Sequence, residues 1–140
     1  MEFGKTMLAS GGSSAAPNGS ALGVVRLLLQ SEGVVATAGS VLAFDTVGGN
    51  WWQFALLFLL PDLSMLGYAF NRRIGAAVYN CAHTYLAPTA LASLGYLLGH
   101  HDLYQVALIW TAHIGFDRVL GYGLKYPEHF GLTHLKSVGR

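Results

Sequence analysis

Apolar residues in this chain gather into four long blocks divided by short polar turns. The first block runs from about Leu22 to Phe44 and ends at DTVGGN; the second runs from Trp51 to about Phe70 and ends at NRR. The third spans Ile74 to about Leu98 and ends at GHHD, and the fourth spans Leu103 to about Leu124. Each is close to the roughly 20 residues with which an α-helix crosses about 30 Å of hydrocarbon. The pattern predicts an all-α fold: a four-helix transmembrane up-down bundle over residues 21–126, in which short turns make sequential helices antiparallel neighbours. Residues 1–20, rich in Gly, Ser and Ala and without an apolar period, read as a flexible N-terminal tail. Pro127 stops the last helix, and residues 127–140 read as an interfacial C-terminal tail.

A cleaved leader is the rival reading of the first block, because Arg26, an apolar stretch and the triplet Ala36-Thr37-Ala38 are all present. Gln30, Ser31 and Glu32 interrupt what a leader keeps uninterrupted, so the block reads as a retained span. Orientation follows from the cations. One side of a four-span protein collects Lys5, Arg72, Arg73, Lys125, Lys136 and Arg140, whereas the other turns hold Asp45, Asp102, His100 and His101. The positive-inside rule then puts both termini in the cytoplasm, with Trp51 and Trp52 as an interfacial belt. Gly33, Ala36, Gly39 and Ser40 in the first block, and Gly75, Ala76 and Ala82 in the third, are small enough for close helix approach.

Composition strengthens the membrane reading. Hydrophobic residues make up 53% and charged residues 11%, where soluble domains carry about 25% charged residues. The formal net charge is +1 with no basic block, which argues against a nucleic-acid partner. Cys81 is the single cysteine, so one chain forms neither an internal disulfide nor a cysteine-based zinc site.

Against this background the ionisable residues inside the blocks stand out. Glu32, Asp62, His83, His113 and Asp117 lie roughly seven to eleven residues from one end of their segments, a common depth of about 10 to 17 Å. His113 and Asp117, spaced i and i+4, share a helix face with Trp110, and Tyr79, Asn80 and His83 form a second stripe. A charge facing hydrocarbon costs about 2.5 to 3.5 kcal/mol even on the lenient insertion scale, so these groups are expected to meet inside the bundle. Arg118 points about 100° from Asp117, and its first reading is an anchor snorkelling to the interface. Lys125, Tyr126 and Pro127 read first as a stop signal.

The segments PDLSMLGY (61–68), YNCAHTYLAP (79–88) and HIGFDRVLGYGLKYPEHFGLTHL (113–135) resemble a family of small bacterial four-span membrane proteins of unknown function. The resemblance covers about residues 24–140 and rests on Pro61, Asp62, Asn80, His83, His113, Asp117, Arg118, Tyr122, Lys125 and His134. It implies a four-helix membrane bundle in the bacterial inner membrane and supplies no activity.

The leading functional expectation is a multi-pass membrane enzyme performing acid-base chemistry, such as isomerisation or cyclisation, on a lipid-soluble, isoprenoid-like substrate. Asp62 or Glu32 would donate a proton and His113, oriented by Asp117, would accept one, with His83 alongside as a further catalytic residue. Tyr79, Asn80, Trp110, Arg118 and Tyr122 are the expected substrate contacts. No cofactor is required, and no residue is assigned as a metal ligand. A metal centre is the alternative: two histidines with Asp62, Glu32 and Asp117 form an N/O set suited to zinc, iron or manganese, although no paired Glu-x-x-His motif is present. A proton or small-molecule pathway, which at this size needs a homo-oligomer to enclose a pore, and an accessory subunit with a structural polar layer complete the alternatives.

Overall fold

The computed structural model describes residues 23–128, 131 and 133–135. The expected tail at residues 1–20 lies outside the described residues. The described chain is all-helical: α1 (Gly23–Thr46), α2 (Trp51–Phe58), a 3-10 helix (Leu60–Ala69), α3 (Arg72–Ala82), α4 (Leu86–Leu98) and α5 (His101–Leu120).

All four apolar blocks are helical, but the second and third are broken in the middle rather than continuous. Proline explains both breaks. Pro61 has no N–H to give the carbonyl four residues back and its ring crowds that carbonyl, so α2 stops and the chain tightens into a 3-10 helix with Pro61 in its first turn. In a 3-10 helix residues three apart eclipse one another, which sets Asp62, Met65 and Tyr68 on one ridge. The two pieces together, at about 1.5 Å and 2.0 Å per residue, still extend roughly 30 Å. Pro88 acts likewise in the third block. It sits within the first turn of α4, where amides lack helical partners, and α3 ends at His83 with φ −112° and ψ 19°.

α5 is the hub. It packs against α1, α4 and α2, while α3 packs against the 3-10 helix. The main partner of α1 is α5, the last helix, rather than the second block. Glycine sets this contact. A Cβ on Gly33 would stand 2.7 Å from both the Gly115 carbonyl oxygen and Arg118 Cβ, and one on Gly115 would stand 2.6 Å from Thr37 Oγ1. Gln30 Nε2 donates to the Val119 carbonyl at 3.0 Å, so the two helices run antiparallel. Ser40 is buried beside this seam as expected of a small residue, whereas Gly39 faces open space. At the other end, the rings of Phe44, Trp51 and Phe54 contact one another with centroids 5.1 to 5.4 Å apart.

Gly23–Thr46 and Trp51–Ala69 are long and apolar enough to cross a membrane, by length and composition. Their outward surfaces are apolar: Val24, Leu27, Val35, Leu42, Leu56 and Leu66 are all more than half exposed. After α5, Gly121 adopts the left-handed conformation at φ 85° and the chain turns back, so that Lys125 pairs with Thr133 in an isolated antiparallel bridge. Thr133 and Leu135 are buried by this return, and the Leu124 N–H donates to His134 Nδ1 at 2.9 Å.

Two expectations follow. Gly33→Ala inserts a methyl group where backbone stands in the way and should lower stability by about 1–3 kcal/mol, seen as a depressed thermal midpoint in detergent. Gly39→Ala, with nothing within 4 Å of the added carbon, should leave the midpoint in place; equal midpoints for both variants would disprove the close seam. Burial, reinforced by the Arg118 guanidinium, holds the His134 imidazole below its ordinary value near 6.5. Neutral His134 therefore favours the docked return segment above pH 6.5, and that contribution is lost as pH falls below it toward the depressed value. Protection of the Leu124 and Thr133 amides, referred to the intrinsic exchange rate at each pH, should fall as pH drops below 6.5 while that of α5 is kept, and His134→Gln should remove this pH dependence.

Candidate functional site

The interrupted helices bring four side chains to one point. Asp62 comes from the first turn of the 3-10 helix, His83 from the residue that ends α3, and His113 and Asp117 from successive turns of α5. His83 Nε2 lies 3.2 Å from His113 Nε2. Asp62 Oδ1 is 3.5 Å from each of these nitrogens, and Asp117 Oδ2 is 3.5 Å from His83 Nε2 and 3.7 Å from His113 Nε2. All four atoms lie within 4.8 Å of one another. His83 and His113 are 0% and 2% exposed, whereas 43% of the Asp62 side chain is open.

The hydrogen bonds around this cluster fix part of its chemistry. His83 Nδ1 lies 3.0 Å from the Tyr79 carbonyl oxygen. A carbonyl only accepts, so Nδ1 carries the proton, and in the neutral ring Nε2 then presents its lone pair to the centre. The Tyr79 ring stacks on His83 at 3.8 Å between centroids, and its hydroxyl donates to Asp117 Oδ2 at 3.4 Å. Phe58 meets His113 edge to face at 5.2 Å. His113 Nδ1 is buried without a hydrogen-bond partner among the described residues.

Carbonyls freed by the α3 break are served by α5. Trp110 Nε1 donates to the Ala82 carbonyl at 2.7 Å, and Arg118 donates to the His83 carbonyl through one nitrogen and to the Tyr122 carbonyl through the other, both at 2.9 Å. Asn80 clamps the Lys125 backbone from both sides, at 2.7 and 2.9 Å. These bonds position the site from behind.

A cavity of about 440 Å³ opens onto the cluster. Asp62, His113 and Asp117 form its polar floor, Phe58, Leu59, Met65, Phe116 and Leu120 its apolar walls, and Tyr79, Tyr122 and Lys125 complete the lining. The Lys125 ammonium lies 4.5 Å from the Tyr79 ring centroid, and burial lowers its pKa.

Of the five residues expected to do chemistry, four converge. Glu32 does not: it is exposed on α1 and outside the cluster. Its depth matched, but the face of α1 that packs on α5 is the one bearing Gly33 and Thr37. Among the expected substrate contacts, Tyr79 and Tyr122 reach the cavity, while Trp110, Asn80 and Arg118 bond to backbone. The snorkelling reading of Arg118 is overturned, since it is 7% exposed and engaged by two carbonyls. Lys125, whose first reading from the sequence is a stop signal, is 9% exposed and faces the site. The GYGLKYP turn, with its left-handed Gly121, was the feature that could have revealed a chain folding back over the site.

Comparison with curated proteins and with solved structures finds no match. The family model of a domain of unknown function, DUF4260, matches residues 26–138, and the chain belongs to that family.

Proposed function

We propose that this is a multi-pass membrane metalloprotein in which Asp62, His83, His113 and Asp117 hold one divalent transition-metal ion beside a cavity for a lipid-soluble substrate. The carrying observation is the spacing of the four donor atoms. A tetrahedral ion with bonds of 2.0 to 2.2 Å needs ligand atoms about 3.3 to 3.6 Å apart; five of the six separations run from 3.2 to 3.7 Å, and the sixth, between the two carboxylates, is within 4.8 Å. The proton on His83 Nδ1 and its carbonyl acceptor match the arrangement that orients metal-bound histidines. Two carboxylates and a divalent ion sum to zero charge, which suits a buried centre. The N/O donor set favours zinc, iron or manganese. Asp62, partly open and at the cavity floor, is the ligand that a substrate oxygen or water would adjoin.

Membrane embedding rests on the two long apolar helices, the exposed aliphatic surface and the one-sided distribution of cations. We read the chain as spanning the bacterial inner membrane with both termini in the cytoplasm. Reporter fusions at each terminus should both give the cytoplasmic signal, and opposite signals would refute this topology. A second reading, metal-free acid-base catalysis, is favoured by the 3.2 Å approach of the imidazoles beside an open carboxylate.

Metal analysis separates the two. Protein purified in mild detergent should hold about one divalent ion per chain, and chelation should lower its stability by about 3 kcal/mol where the free ion is roughly a hundredfold above its dissociation constant. His83→Ala and Asp117→Asn should lose the ion, while Glu32→Gln should retain it in full. Folded, active protein without metal would refute the metal centre and leave the acid-base reading.

A further inference from the structure

Resting on the metal reading above, we propose that the substrate is a single-chain amphiphile with one anionic headgroup, which enters the centre sideways from hydrocarbon. The cavity is built like a slot for such a molecule. Leu59, Phe116 and Leu120 line it and are 62%, 42% and 52% exposed, so its apolar wall continues onto the outer surface rather than closing over. A substrate arriving over these three side chains crosses an apolar wall before meeting the polar floor. Both exposed apolar area and hydrogen-bonding groups are then matched, as small-molecule sites require.

The charge at the floor selects the headgroup. With a divalent ion in place, the charges of Asp62 and Asp117 are offset, and the lining also carries the Lys125 ammonium, seated against the Tyr68 and Tyr79 rings, with the Arg118 guanidinium buried behind His83. The occupied site therefore presents two cationic groups at one end and apolar side chains along the other. A phosphate or carboxylate oxygen bridging the ion and Lys125 fits that polarity, through charge-assisted bonds stronger than neutral ones. A neutral alcohol forgoes the Lys125 interaction, and a cation is repelled. The position of Lys125, just past the end of α5 and held by the Asn80 clamp, also suits a headgroup that starts at the membrane interface.

Photo-crosslinking tests this on the full chain in detergent, with three dodecyl probes that carry a terminal diazirine and end in a phosphate, a carboxylate or a hydroxyl. Peptide mapping should find the two anionic probes on the segments 58–65 and 116–122, with the alcohol about tenfold weaker at equal concentration. Lys125→Met should abolish the tenfold preference without changing metal content, and Lys125→Arg should restore it. Equal labelling by all three probes, or labelling confined to other segments, in protein that holds its metal would overturn the amphiphile. Preference for both anions over the alcohol places the recognition in the shared oxygen anion, and preference for one of them identifies the headgroup. Protein that holds no metal yet keeps the Lys125-dependent preference would overturn the metal centre alone, so the two failures are distinguishable.

Discussion

Backbone carbonyls left over where α3 breaks are the constraint on which the polar centre depends. A buried carbonyl without a donor costs about as much as a lost hydrogen bond, and the break at His83 frees several of them at once. Arg118 answers the His83 carbonyl and Trp110 the Ala82 carbonyl, while the Tyr79 carbonyl takes both the amide and the ring N–H of His83. The same bonds that satisfy the break therefore orient the imidazole. Arg118 also lies where the C-terminal ends of α3 and α5 come together, which is where partial negative charge accumulates. A guanidinium suits this place because its planar fork serves two acceptors in different directions, and an ammonium would serve it poorly.

The division of labour on α5 follows from helical periodicity. Gly115, with Ala112, faces α1 and lets the two backbones approach. His113 and Asp117 face the cavity, and Trp110 and Arg118 face the broken third segment. The helix is thus engaged on three sides, which accounts for the burial of every residue of Ala112–Arg118 except Phe116. A change on one side is felt on another. The Gly33 seam presses on Arg118 Cβ, so a wider α1 contact displaces the residue that holds the His83 carbonyl.

Much of this was legible in the sequence because two simple signals carry it. Apolar blocks of nearly constant length gave the helical class, and ionisable residues at a common depth gave Asp62, His83, His113 and Asp117. Depth alone failed for Glu32, since a residue can lie at the right level on the wrong face, and only the identity of the α1–α5 seam tells the faces apart. The breaks were missed for a related reason. Pro61 and Pro88 are visible in the sequence, but a hydropathy block does not say whether a proline kinks a helix or ends it. Arg118 and Lys125 were misread because a cation near the end of an apolar block is ordinarily an interfacial anchor. What retains them inside is the set of carbonyls from the α3 break and the return of the chain after Gly121, both of which belong to tertiary structure.

The breaks also bear on why the donors stand so close. A continuous α-helix through the third block would have kept the His83 carbonyl in its own ladder and would have left no reason for Arg118 to be there. Ending α3 at His83 lets its Nε2 meet His113 Nε2 across the gap, while the 3-10 ridge brings Asp62 to the same point. Acceptors brought together in this way repel one another unless a proton or a cation lies between them, and burial strengthens the repulsion by lowering the local dielectric. Irregular backbone is tolerated in an apolar setting where it lines a cavity or is covered by protein, and here it is both. A cation at the centre, if bound as proposed, would offset the cost of interrupting two helices and of crowding their acceptors, and would tie the unusual backbone to that chemistry.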